Sequence, residues 1–464
     1  MRFRTTAILA GILVALFAAV YFGDVKRAEK KKSSQEKEEK VLAAEPDSIR
    51  EILLRPSGIH LVKEGQEWTI TEPVRTQADK GAVDGVIGTF RWAKRYRTVA
   101  EGNVRFADYG LEPPQYEMIL VHNAGRDTLQ LGDKTPTGSY VFARLNRENR
   151  VFTTTTSLLS HAQKTLYNLR DKRVLPFERE KVNGFTLRNV HGSFELVREG
   201  DQWKIQSPIQ GPADRYKIDD VLSRIRNATA REFVEEEPKD LSRYGFANPV
   251  VRVDLILGEE RARKTLLIGN RKEDKYYARD DGRPPVFLVD SSFVRDLRLT
   301  LTDLREKKLY EFLSTDVDST VLIYPDLTII CAKDSVGNWQ VLQPEKRRAK
   351  NWRMSGIAGT VNGLRAKDFV SERATNLAAY GLDRPAIRVK MFRKGELLAD
   401  LRLGKKTKDG VYALGRDEGP VVLVPENTLD QLKFTLEDVA EPQPKPVETS
   451  QSESTSGTAA KTGQ

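Results

Sequence analysis

The chain repeats itself three times at a spacing that only a whole domain can fill. Trp68 in WTITEP, Trp203 in WKIQSP and Trp339 in WQVLQP lie 135 and 136 residues apart, and Pro73, Pro208 and Pro344 keep that spacing. Tyr109-Gly110 recurs as Tyr244-Gly245 and Tyr380-Gly381, with Pro114, Pro249 and Pro385 downstream. LGDK at 131–134, IGNR at 268–271 and LGKK at 403–406 come next, then YVFA, YYAR and VYAL from Tyr140, Tyr276 and Val411. Four landmarks in one order across three copies define the repeat. A period this long exceeds that of helix-pair solenoids, so each copy is a domain with its own core.

Within a copy, alternation of apolar and polar residues predicts a strand pair first: EILLRP with IHLVKEG and EWTI in the first copy, SFELVREG with QWKI in the second. A helix follows, with Val83, Val86, Ile87 and Phe90 on one side in copy one and Val221, Leu222 and Ile225 in copy two. Asp79 and Asp214 stand at its start as candidate caps. The third version, around Ile357, Val361 and Leu364, carries several glycines and is expected to be the weakest. After the Tyr-Gly turn the period returns to two, through Val251, Val253, Leu255 and Leu257 or Ile387, Val389 and Met391. Helices over SLLSHAQKTLYNLRDK and SFVRDLRLTLTDLREK are expected to close copies one and two.

The fold class read from this pattern is α+β: three tandem homologous domains of small antiparallel or mixed sheets covered by helices, after one N-terminal transmembrane helix. The expected divisions are a membrane anchor at 1–25, a charged linker at 26–45, repeats at 46–176, 177–312 and 313–438, and a disordered tail at 439–464. That tail, rich in proline, serine and small polar residues, offers no core.

Arg2 and Arg4 precede an apolar run from Ala7 to Phe22. As a helix rising ~1.5 Å per residue the run spans about 24 Å, short for a bilayer core but extendable by Thr5, Thr6 and the interfacial Tyr21 and Phe22. An uncleaved anchor is the favoured reading, because no small-x-small cleavage site follows; a cleaved secretory signal is the competing one. Residues 26–40 carry seven basic and four acidic side chains and only Ala28 as an apolar residue, the composition of an extended tether able to meet anionic headgroups. The expected address is the bacterial inner membrane, single-pass, N-terminus inside and the large body facing the periplasm or exterior.

Chemistry is sparse. His60, His122, His161 and His191 show no i,i+4 pairing, and HExxH, GxSxG and phosphate-loop spacings are all missing. The single cysteine, Cys331, excludes an intramolecular disulfide and follows Ile329 and Ile330 as a buried small hydrophobe would. Asp133 becomes Asn270 and Lys405 in the other copies, which removes a threefold acid or base. Tyr109, Tyr244 and Tyr380 with Gly110, Gly245 and Gly381 read as turn packing, and Trp68, Trp203 and Trp339 as core plugs. One basic segment, Lys346, Arg347, Arg348, Lys350, Trp352 and Arg353, is a candidate contact for lipid headgroups or an anionic polymer. No cofactor, metal or catalytic residue is expected.

These landmarks together resemble the repeated bacterial domain catalogued as domain of unknown function 4340: the basic start and apolar anchor, the W-x-[IVL]-x-x-P strand end, the YGL or YGF turn, the LG-x-x turn and the closing D-L-R-x-K helix. The resemblance covers roughly residues 45 to 438, and the third copy departs most, lacking a clear D-L-R-x-K ending. It implies an envelope protein, often encoded beside ATP-driven transport components of the gliding-motility auxiliary type, and it carries over no catalytic residues. The expected function is therefore a membrane-anchored envelope accessory or binding protein, associated with an ABC-type permease or ATPase complex or an envelope polymer; nucleic acid is the least expected partner. The alternative is an envelope hydrolase or glycan-modifying enzyme with a site between repeats, and a passive spacer is a third reading.

Overall fold

The structure, a computed structural model, describes residues 40–41 and 45–442, together with 13, 17 and 21. Among the described residues no helix is long and apolar enough to cross a membrane. Apart from residues 13, 17 and 21, the expected anchor lies outside them, as do most of the tether and the tail beyond residue 442.

Each repeat builds one antiparallel sheet of nine strands, larger than the small sheets expected from sequence. In the first repeat the strands are β1 (Ile49–Arg55), β2 (Ile59–Glu64), β3 (Glu67–Glu72), β4 (Thr76–Gln77), β5 (Arg97–Glu101), β6 (Tyr116–His122), β7 (Gly125–Lys134), β8 (Tyr140–Leu145) and β9 (Arg150–Thr155). They are ordered β4-β3-β2-β1-β6-β7-β8-β9-β5. The second and third sheets, running from Val182–Asn189 to Val286–Asp290 and from Ser319–Ile323 to Val421–Val424, repeat that order. The sequence underestimates the sheet because its outermost strands give little periodic signal. The two residues of β4 cannot show alternation, and β5 is bulged between Thr98 and Ala100.

Helix α1 (Lys80–Trp92) covers one face of the first sheet. Val83, Val86 and Phe90 are buried with Trp68, Ile52 and Leu120, while the Asp79 carboxylate accepts the Ala82 amide at 2.8 Å and closes the helix start. A smaller cluster of Phe106, Leu111 and Val151 lies on the other face, since consecutive Val151 and Phe152 on β9 enter different clusters. In the third repeat the corresponding helix is Asn351–Asn362, one residue shorter, and its N-cap Lys350 makes no side-chain cap.

Each expected closing helix is two short ones. In the first repeat α2 (Ser157–Ala162) ends, and Thr165 starts α3 (Leu166–Leu169) with a capping box shared with Asn168. Thr300 with Asp303 and Thr435 with Asp438 build the same box before Leu301–Leu304 and Leu436–Val439. Threonine in the extended cap conformation interrupts the helical backbone, which is why a continuous apolar pattern does not yield one helix.

By internal packing the chain divides into two compact units, residues 1–195 with 220–298 and residues 196–219 with 299–464. The division falls inside the second repeat because its closing segment binds its own outer strand: the Asp214 amide donates to Leu304 O at 2.9 Å and the Glu306 amide to Pro212 O at 3.1 Å.

Candidate functional site

The thrice-repeated landmarks go into architecture. Trp68, Trp203 and Trp339 are all buried. Tyr109 meets Phe142 edge-on at 5.1 Å between ring centres, Tyr244 meets Tyr277 at 4.9 Å, and Tyr380 meets Tyr412 at 5.0 Å. Gly110, Gly245 and Gly381 take left-handed φ values of +67°, +80° and +69°. The second glycine landmark fits against the first: a methyl group on Gly132, Gly269 or Gly404 would overlap the carbonyl oxygen of Tyr109, Tyr244 or Tyr380. The variable residue after it ties the same turn, as Asn270 donating to Arg243 O at 3.1 Å and Lys405 donating to Ala379 O at 3.2 Å; Asp133 instead accepts from Gln115. Strand pairing also corrects one alignment. Ala143, Ala278 and Ala413 share a register opposite Leu131, Ile268 and Leu403, so Tyr140 corresponds to Lys275 rather than to Tyr276.

The candidate anionic segment is largely engaged by the closing segment of its own repeat. Arg347 pairs with Glu437 at 2.6 Å and with Glu345 at 3.0 Å, and Arg348 lies 3.6 Å from Glu441. Lys350 donates to Glu437 O at 2.7 Å. The Arg353 guanidinium sits 4.4 Å from the Trp352 ring centre and 4.9 Å from that of Phe434. Lys346 and Trp352 are exposed. These cations fasten the closing segment of the third repeat, so a contact based on all six would have to break that fastening.

Among the described residues no three His, Cys, Asp or Glu side chains gather as a metal site. His60 and His122 pair with Glu51 at 2.9 Å and Asp127 at 3.2 Å, while burial pushes the His161 imidazole pKa down. Cys331 is fully buried and its thiol is pushed up to about 12, which leaves it protonated at neutral pH. A cleft of about 310 Å³ between α1 and the β2–β3 turn gathers Lys63, Lys80, Arg91, Trp92 and the carboxylates of Asp47 and Asp84. Lys80 and Asp84 pair one helical turn apart on its α1 wall at 2.6 Å, and its lining holds no serine, threonine, cysteine or histidine.

The most elaborate constellation is one the sequence reading did not single out, the seam where one repeat hands the chain to the next. Leaving α3, the chain carries Arg170, whose side chain is only 3% exposed, over the ring of Phe233 at 3.3 Å and against Glu236 at 2.5 Å. Tyr167 donates to Ala230 O at 3.0 Å, and the Val174 amide to Ala228 O at 3.0 Å. Arg283, held at 2.8 Å by the fully buried Asp280, donates to the carbonyls of Arg173 and Val174. The next seam repeats the device: Arg305 lies 3.5 Å over Phe369 and 2.7 Å from Glu372, and the Leu309 amide donates to Leu364 O at 3.1 Å. There Tyr310 replaces the arginine clamp, donating to Gly415 O at 3.0 Å from a site whose burial raises its hydroxyl pKa. The signal was present in the D-L-R-x-K ending: Arg170 and Arg305 sit at one repeat position, and Ala440 occupies it in the last copy, which has no successor among the described residues.

The first repeat receives the chain in the same way. The Val41 amide donates to Ala93 O at 3.0 Å, as Val174 and Leu309 do to their own hosts, and Val41 is buried.

None of the curated proteins searched matches the chain. The family model described as domain of unknown function (DUF4340) matches it at residues 68–210, 203–351 and 339–462. The first two matches run from the tryptophan strand of one repeat into that of the next, so each contains the closing segment with its arginine, Arg170 or Arg305, but not the Phe–Glu pair that receives it. With three copies spanning most of its length, the chain belongs to the domain of unknown function 4340 family.

Proposed function

We propose that the chain is a membrane-anchored accessory component of the bacterial cell envelope, without catalytic activity of its own, that presents its three domains to an ABC-type transport complex. The large body faces the periplasm or exterior, and an inner-membrane permease with its ATPase is the partner. One observation carries the reading: the tryptophans, the Tyr-Gly pairs and the second glycines kept in all three copies serve cores and turns, and the arginines kept in two copies serve the seams between repeats. Such repetition maintains a scaffold and leaves recognition to the surfaces that differ between copies.

Partner contact through side chains, rather than an added strand, follows from the sheet edges. In each copy one edge strand has two residues and is bridged by the closing segment, through Ala78 with Arg170, Ala213 with Arg305 and Ala349 with Ala440. The other edge is short, bulged and bears charges such as Arg97, Glu232 and Asp368, features that discourage strand addition. Crosslinking of the full-length protein in native membranes, followed by mass spectrometry of purified adducts, tests the reading. Reproducible capture of a permease or ATPase subunit supports it; no specific adduct, despite the many exposed lysines, overturns it.

A further inference from the structure

The three copies differ sharply where α1 runs into β5. In the first repeat this stretch reads Arg91, Trp92, Ala93, Lys94, Arg95, Tyr96 and Arg97, with Trp92 75% and Tyr96 53% exposed. Tyr96 packs tilted against Tyr140 of β8, itself partly open to solvent, with 4.9 Å between ring centres. At the position of Trp92 the other copies have Asn227 and Gly363; at that of Tyr96 they have Arg231 and Lys367; at that of Tyr140, Lys275 and Gly410. Arg97 is replaced by the acids Glu232 and Asp368. Only the first copy therefore combines exposed aromatic rings with a net positive strip.

The cations of the corresponding sites are held inside their own domains, Arg231 by Asp290 at 2.6 Å and Lys367 by Asp409 O at 2.6 Å. Among the described residues Arg91 and Arg97 pair with no carboxylate; Arg91 leans over Trp92 at 5.4 Å, Arg95 pairs with Glu148 at 3.2 Å, and Asp84, paired with Lys80, lines the adjoining cleft with Asp47. The chain also enters the body at this place. Lys40 bridges Lys94 and the Val41 amide donates to Ala93 O, which places residues 40 and 41 beside the backbone of the strip. Behind them in sequence lie the basic stretch of residues 26–40 and the apolar run of residues 7–22.

We infer that this strip of the first repeat is a contact surface for an anionic phospholipid bilayer. Trp92 and Tyr96 enter the headgroup region, where amphipathic rings are favoured, and Arg91 and Arg97 meet lipid phosphates. The inference rests on the reading of residues 7–22 as a membrane anchor. The contact holds the first repeat against the bilayer and leaves later repeats to meet a partner.

Two of the five tryptophans, Trp92 and Trp352, are largely exposed and three are buried in cores, which supplies an internal control. The full-length chain is reconstituted into phosphatidylcholine vesicles, with or without phosphatidylglycerol, whose acyl chains carry bromine as a fluorescence quencher. Flotation is measured on the same samples. The expected result is co-flotation with quenching that Trp92→Phe abolishes and Trp352→Phe leaves intact. Quenching should weaken without phosphatidylglycerol and in the double variant Arg91→Glu, Arg97→Glu. Co-flotation with no quenching, or with quenching that survives Trp92→Phe, overturns the surface while sparing the anchor. Failure to float overturns both.

Discussion

In the second repeat Phe233 and Glu236 receive Arg170 from the repeat before; in the first repeat the same positions are Thr98 and Glu101, and the cations come from within. Arg150 pairs with Glu101 at 2.7 Å, where the other copies have Pro285 and Pro420. Arg95 lies 5.0 Å over the ring of Phe152, the ring whose counterpart Phe287 packs against Phe233. The seam thus needs a cation on an aromatic face and beside a glutamate, and the first copy supplies both internally. The third copy differs again, with Ala440 in place of the donated arginine.

The strongest way to break this comparison is Arg170→Ala. It leaves Glu236 without its partner beside a bared aromatic face, and it should cost about 3 kcal/mol in denaturant unfolding, with earlier proteolysis between residues 170 and 180. Arg170→Lys should recover part of the loss, since an ammonium keeps the charge but not the planar stacking. A loss below about 0.5 kcal/mol would mean that the seam does not depend on the arginine.

Arg305→Ala should do less, about 1–2 kcal/mol, because Glu372 is roughly half exposed and remains hydrated when its partner goes. An equal or greater effect than at Arg170 would reverse the ranking of the two seams.

Acid should sharpen the contrast between the first copy and the others. Burial alone would raise the Asp254 carboxyl, but the Arg252 guanidinium and Thr265 hydroxyl outweigh it and hold it below the usual carboxylate range; Asp400 is held down likewise against burial by Arg388. A depressed folded pKa contributes stability above the unfolded value and loses it as pH falls through the folded one. Hydrogen exchange below pH ~4 should therefore rise first in the strands of Asp254 and Asp400, ahead of β6, where Ile119 occupies the position of Asp254. The smallest effect is expected from Ala440→Arg: within about 0.5 kcal/mol by denaturation, since no described Phe–Glu receptor follows it.

How far the sequence could be read depended on the range of each interaction. Helix α1 was legible because Asp79, Val83, Val86 and Phe90 lie within a few turns. The wedge between the Tyr-Gly and Leu-Gly turns was half legible: both glycines stood out as landmarks, yet nothing in their spacing says that one packs on the carbonyl of the residue before the other. The closing segment misled, because its apolar period continues across Thr165 while the backbone does not. Arg170 was visible only as a letter of an ending motif.

The sequence by itself determined that there are three domains, where their tryptophan strands and Tyr-Gly turns fall, and which face of the alternating strands is apolar, since these follow from local periodicity and from recurrence at fixed spacing. Only the tertiary structure decided that each sheet has nine strands and that Arg170, Phe233 and Glu236 form one site. Arg170 and Glu236 are 66 residues apart and meet because two folded domains bring them together, and side-chain periodicity carries no information about contacts at that separation.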